Sequence, residues 1–94
     1  MDSRLLRRKI LTMLYACFTE HPYRRITPKE FIEELSVTHK ELDFNIVYLE
    51  EKGFLELQKP LEGNIFVGAR ITPKGIDLVE DRDKLNDLFP TTNQ

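Results

Sequence analysis

The chain has one cysteine, Cys17, and no tryptophan. A single thiol excludes an internal disulfide and any multi-cysteine metal site, and it fits a reducing cytosol. His21 has no second His or Cys at ligand spacing, so no metal is expected there. No apolar run approaches ~18 residues, so no membrane-spanning helix is expected. The cations Arg4, Arg7, Arg8 and Lys9 open the chain, but the apolar residues around them alternate with polar ones as in a packed helix, unlike a signal peptide. Gly-rich phosphate loops, G-x-S-x-G and H-E-x-x-H are all missing. The dense carboxylates (Glu33 and Glu34, Glu50 and Glu51, Asp81 and Asp83) fall where solvated helix faces are expected. These absences predict a cytoplasmic protein that is not an enzyme and needs no cofactor.

What is present is an ordinary globular composition, 40% hydrophobic and 32% charged, which sets the chain apart from disordered tails. Its 94 residues suit one domain, read as residues 1–89 with a disordered tail at 90–94. So small a domain has a thin core, and a homodimer is expected. The formal net charge of −2 is unevenly spread. Residues 1–29 hold seven Lys/Arg against two acids, a net +5, and residues 30–94 hold seven against fourteen, a net −7. A basic face must therefore come mainly from the first third of the chain.

Leu6, Ile10, Met13, Leu14, Cys17 and Phe18 form an apolar stripe, which predicts a first helix over 3–19 started by Asp2 or Ser3. Arg4, Arg7, Arg8 and Lys9 lie off it, either solvated or touching phosphate. Cys17 reads as a small core residue. Pro22 breaks the helix, and Tyr23–Ile26 can add a short edge strand. Thr27-Pro-Lys-Glu30 caps a second helix that runs to about Leu35. After the turn at Ser36-Val37, Thr38-His-Lys-Glu41 repeats the capping box and opens a third helix with Leu42, Ile46 and Leu49 inward. Lys52-Gly53 ends it. Residues 54–61 and 65–71 then read as strands around Glu62-Gly63-Asn64, with Leu55, Leu57, Ile65, Val67, Ala69 and Ile71 facing the core. Thr72-Pro-Lys starts a fourth helix, where Gly75 costs about 1 kcal/mol unless it permits close packing. Asp83 is expected to cap a short last helix.

The fold class is therefore α+β, mostly α: a three-helix core, a two- to three-stranded antiparallel hairpin unit and a C-terminal helix. The residues Ile10-Leu11-x-x-Leu14, Thr27-Pro-Lys-Glu-Phe-Ile-x-x-Leu35 and Leu42-x-x-x-Ile46-x-x-Leu49-Glu-Glu-Lys-Gly-Phe-Leu55 resemble the winged helix-turn-helix DNA-binding superfamily. The run Ala69-Arg-Ile-Thr-Pro-Lys-Gly-Ile-Asp-Leu-Val-Glu80 is similar to the end of small prokaryotic and phage winged-helix proteins. The resemblance spans about residues 5–80. It implies a compact, transcription-regulator-like module, often dimeric, without cofactor or catalysis.

In that reading the third helix enters the major groove of double-stranded DNA. Its outward positions are His39, Lys40, Asp43, Phe44, Val47 and Tyr48. Lys40 can donate to guanine, His39 can meet a base or a phosphate, Asp43 can accept from cytosine, and Phe44 and Val47 can pack on a thymine methyl. Arg24, Arg25, Lys29 and Lys59 are expected to hold phosphates, with Arg7 and Arg8 able to join them. The acidic, apolar character of that helix face departs from many relatives, which carry Arg, Ser, Thr or Gln there. A winged-helix adaptor that docks protein instead is the alternative. The homodimer surface is expected to draw on Leu78, Leu85, Leu88 and Phe89 or on the free side of the first helix.

Overall fold

The computed structural model describes residues 2–63 and 65–91. Among them lie five helices and two strands. They are α1 (Ser3–Glu20), α2 (Pro28–Leu35), α3 (His39–Glu51), β1 (Leu55–Gln58), β2 (Gly68–Ile71), α4 (Pro73–Glu80) and α5 (Arg82–Leu88). The architecture is mostly helical α+β with a two-stranded antiparallel sheet. No helix among the described residues is long and apolar enough to cross a membrane.

Local chemistry sets most of the boundaries. Asp2 accepts the Leu5 amide at 3.2 Å and starts α1. Thr27 and Thr38 each accept the amide three residues on, while Glu30 and Glu41 reach back to the threonine amides, both at 3.1 Å. These are two complete capping boxes, each satisfying amides that a helix start otherwise leaves without partners. Ser36 lies in the left-handed region at φ 54° and turns the chain between α2 and α3. At the far end of α3, Gly53 takes φ 82° and the Phe54 amide bonds back to the Leu49 carbonyl at 3.0 Å. Thr72 ties this corner to α4: its hydroxyl donates to the Gly53 carbonyl and its amide to the Phe54 carbonyl.

The strands pair Leu55 with Ile71 and Gln58 with Gly68. Ile26 adds one bridge to Ala69, with both amide–carbonyl bonds under 3 Å, so the expected edge strand is a single residue wide. The core gathers Leu6, Ile10, Leu11 and Leu14 of α1, Phe31 of α2, Leu42, Ile46 and Leu49 of α3, and Leu55, Ala69 and Ile71 of the sheet. Leu78, Leu85 and Phe89 close it from the C-terminal side.

Four expectations change. The strands are shorter than 54–61 and 65–71, because pairing stops at Gln58 and Gly68, and the described residues between them lie outside the sheet, with the Val67 amide on the Gln58 carbonyl at 2.7 Å. Beyond the paired residues the two-fold alternation lapses. Ile65 and Val67 are exposed, and Phe66 turns inward onto Phe31, with ring centroids 6.3 Å apart. Gly63 does adopt a positive φ of 96°, whereas the expectation for Asn64 lies outside the described residues. Asp81, not Asp83, caps the last helix by accepting the Lys84 amide at 3.2 Å, since the same residue also terminates α4 and leaves no spacer between them. Finally, Leu78, Leu85 and Phe89 are not available to a second copy: they are buried in their own core, and only Leu88 of that group is exposed. Of the expected tail, Thr91 is exposed, and 92–94 lie outside the described residues.

Candidate nucleic-acid interface

The site is built on α3. Leu42, Ile46 and Leu49 are almost wholly buried, as their spacing predicts, and the opposite face is open. His39, Lys40 and Asp43 are exposed and have no hydrogen-bond or ion-pair partner among the described residues. Phe44 is 64% and Val47 47% exposed. Tyr48 is half-buried and packs on the core edge, so it is not a free outward residue. Between α3 and the hairpin lies a shallow cleft lined by Asp43, Val47 and Glu50 on one side and Leu57, Lys59 and Phe66 on the other. Leu61, Ile65 and Val67 stand exposed on the loop.

The cations expected to hold phosphate all have carboxylate partners within the chain. Arg24 pairs with Glu30 and also reaches the Cys17 sulfur. Arg25 sits 3.7 Å from Glu56, Lys29 3.9 Å from Glu33, and Lys59 3.5 Å from Glu50. Glu56 also receives Arg70 at 2.9 Å. Exposed pairs of this kind contribute only ~0–1 kcal/mol each, yet each carboxylate cancels the field its cation would show a phosphate. Arg8 is likewise engaged, donating to Asn86 Oδ1 at 2.8 Å and to the Phe89 carbonyl at 3.0 Å. Its charge pins α5 to α1.

Sequence reasoning passed over Asn45. It is the buried polar side chain of α3, 2% exposed, and it sits on the Leu42–Leu49 stripe. Its Nδ2 donates to the Glu41 carbonyl at 2.8 Å, and its Oδ1 accepts from Arg7 Nε at 2.9 Å. The Arg7 guanidinium therefore lies over the Tyr48 ring, 3.7 Å from its centroid, and 5.9 Å from that of Phe44. Lys52 approaches the same tyrosine ring at 5.7 Å. An asparagine interrupting an apolar stripe was the signal in the sequence. What it holds could not be read, because Arg7 is 38 residues away.

The boxes at the starts of α2 and α3 also set the pH response. Glu30 is held below the ordinary carboxylate range chiefly by the Thr27 amide; burial opposes this in part, and Arg24 lowers it further. The Thr38 amide does the same for Glu41. A depressed folded value means stabilisation that is fully present above the unfolded value of about 4.3 and is lost as pH falls through the folded one. Thermal melts from pH 7 to pH 3 are expected to drop below about pH 4.3, and the drop should shrink in Glu30→Ala/Glu41→Ala, which starts less stable at pH 7. A flat profile in the wild type refutes the assignment.

Comparison with protein-family models, curated proteins and solved structures finds no match for this chain.

Proposed function

We propose that this chain is a winged helix-turn-helix module that binds double-stranded DNA, with α3 as the groove-reading helix and the β1–β2 hairpin as the wing. The supporting observation is the open face of α3, where His39 and Lys40 are exposed without side-chain partners among the described residues and the Asp43–Val47–Glu50 flank adjoins the hairpin. A helix buried on one side and bare on the other has the shape the major groove admits. The order α2, left-handed turn at Ser36, α3 and hairpin agrees with that architecture. In this reading the protein is a cytoplasmic, non-catalytic regulator. A homodimer would have to use the free side of α1, where Leu5, Met13 and Ala16 line an open groove with Leu35. Sedimentation as a monomer at high micromolar concentration refutes the dimer.

Fluorescence anisotropy with a mixed-sequence duplex tests the main reading. Binding at ~50 mM salt that weakens steeply as salt rises is the expected result, because phosphate contacts supply most non-specific affinity. Lys40→Ala is expected to change sequence preference rather than abolish binding. No binding at that salt ends the DNA reading.

A second reading, a winged-helix adaptor that docks protein, is favoured by Phe44, Val47, Leu61, Ile65 and Val67, all exposed on α3 and the neighbouring loop. Apolar and aromatic side chains of this kind are enriched at interface cores. A pull-down that survives nuclease treatment and is lost on Phe44→Ser supports it, and retention by Phe44→Ser counts against it.

A further inference from the structure

The two flanks of α3 differ in charge. Toward the hairpin lie Asp43, Val47 and Glu50, the last paired with Lys59. Toward α1 lie Lys40, Phe44, Tyr48 and Lys52, each four residues after the one before. Four-residue spacing places side chains in one row along a helix. The row has two rings between two cations, and Arg7 joins it from α1, stacked on Tyr48 and fixed by Asn45. Asn45 takes only the Nε of Arg7. The two Nη groups have no acceptor among the described residues and are not sealed from solvent. Lys40 and Lys52 likewise have no carboxylate within 4 Å among the described residues.

We propose that one strand of a DNA duplex is held along this α1 edge of α3, with Arg7, Lys40 and Lys52 on phosphates spaced along that strand and Phe44 against the groove wall. This rests on the DNA-binding reading and replaces Arg24, Arg25, Lys29 and Lys59 as the main phosphate contacts. The physical reason is preorganisation. A guanidinium already laid flat on a ring and hydrogen-bonded along one edge loses little further freedom when its remaining fork meets a phosphate. From Lys40 to Lys52 the helix rises about 18 Å, the axial span of about five nucleotides of one strand. Two carboxylates adjoin the row. Glu41 is engaged at Thr38, and Glu51 is the exposed acid beside its C-terminal end. The opposite flank, with Asp43 and Glu50, repels phosphate. The helix therefore sits asymmetrically in the groove, closer to the strand on the α1 side.

The test is the salt dependence of duplex binding measured by anisotropy. Each phosphate contact contributes about −0.9 to the slope of log affinity against log salt on B-form DNA. Lys52→Gln and Arg7→Met are each expected to make the slope shallower by about 0.9. Lys29→Gln and Lys59→Gln are expected to leave it unchanged. Because Arg7→Met also removes the bond to Asn45, the exposed Lys52→Gln and Lys40→Gln variants carry the test if Arg7→Met is unstable. A wild-type slope that falls with Lys29→Gln or Lys59→Gln and not with Lys52→Gln overturns this edge while leaving DNA binding intact. No wild-type binding overturns both, and a slope carried by Arg7, Lys40 and Lys52 supports both.

Discussion

Gly75→Ala is expected to destabilise the protein by at least about 3 kcal/mol, the upper range of overpacking a rigid interior. Helix propensity alone predicts the opposite sign, a gain of about 1 kcal/mol for alanine within a helix. The geometry decides against propensity. A Cβ on Gly75 would stand 2.1 Å from the Phe54 carbonyl oxygen and 2.7 Å from Ile71 Cγ1. The first obstacle is backbone, and it is pinned there, since the Phe54 carbonyl accepts the Thr72 amide at 3.1 Å. Gly75 also donates its amide to the Thr72 hydroxyl, so the α4 start cannot slide away without losing its cap. Urea denaturation should show a lower midpoint at unchanged slope. Gly63→Ala is the control. Its φ of 96° strains any side chain, but nothing lies within 4 Å of an added Cβ, so only the ~1–2 kcal/mol left-handed penalty applies. A Gly75→Ala variant as stable as the wild type would mean that α4 does not rest on the α3–β1 corner as described.

The contrast between those two glycines separates what the sequence discloses from what it withholds. Caps are local: Thr27 with Glu30, Thr38 with Glu41, and Gly53 after Lys52 act over three to five residues, and each stands where the spacing places it. The buried face of α3 follows from periodicity for the same reason. Contacts across the fold are not written that way. The pairing of Arg25 with Glu56 and of Lys59 with Glu50 depends on where the chain returns after α3. Counting cations in the first third of the sequence could not show that the expected phosphate contacts were already partnered. The hairpin failed for a related reason. Alternation holds only while strands pair, and past Gln58 and Gly68 the residue that turns inward is set by the partner it finds. Phe66 finds Phe31, and Ile65 and Val67 are left outside.

That aromatic contact underlies the second large effect. Phe31→Ala is expected to cost about 3–5 kcal/mol, the range for removing a buried phenylalanine. Phe31 has no solvent exposure and is among the largest fully buried side chains. It is the one fully buried residue of α2, so its removal leaves a cavity where this short helix meets the rest of the core. A domain of this size carries a total stability of roughly 5–15 kcal/mol, so the variant should melt at least about 12 °C lower. Phe66→Ala should cost less, because its ring lies on a loop that can settle into part of the space. It should also speed amide exchange at Val67, whose bond to Gln58 closes that loop, without changing exchange in the middle of α3. If Phe31→Ala costs no more than Phe66→Ala, the aromatic pair is a surface contact between loop and helix, and the hairpin takes its position from β1 and β2 alone.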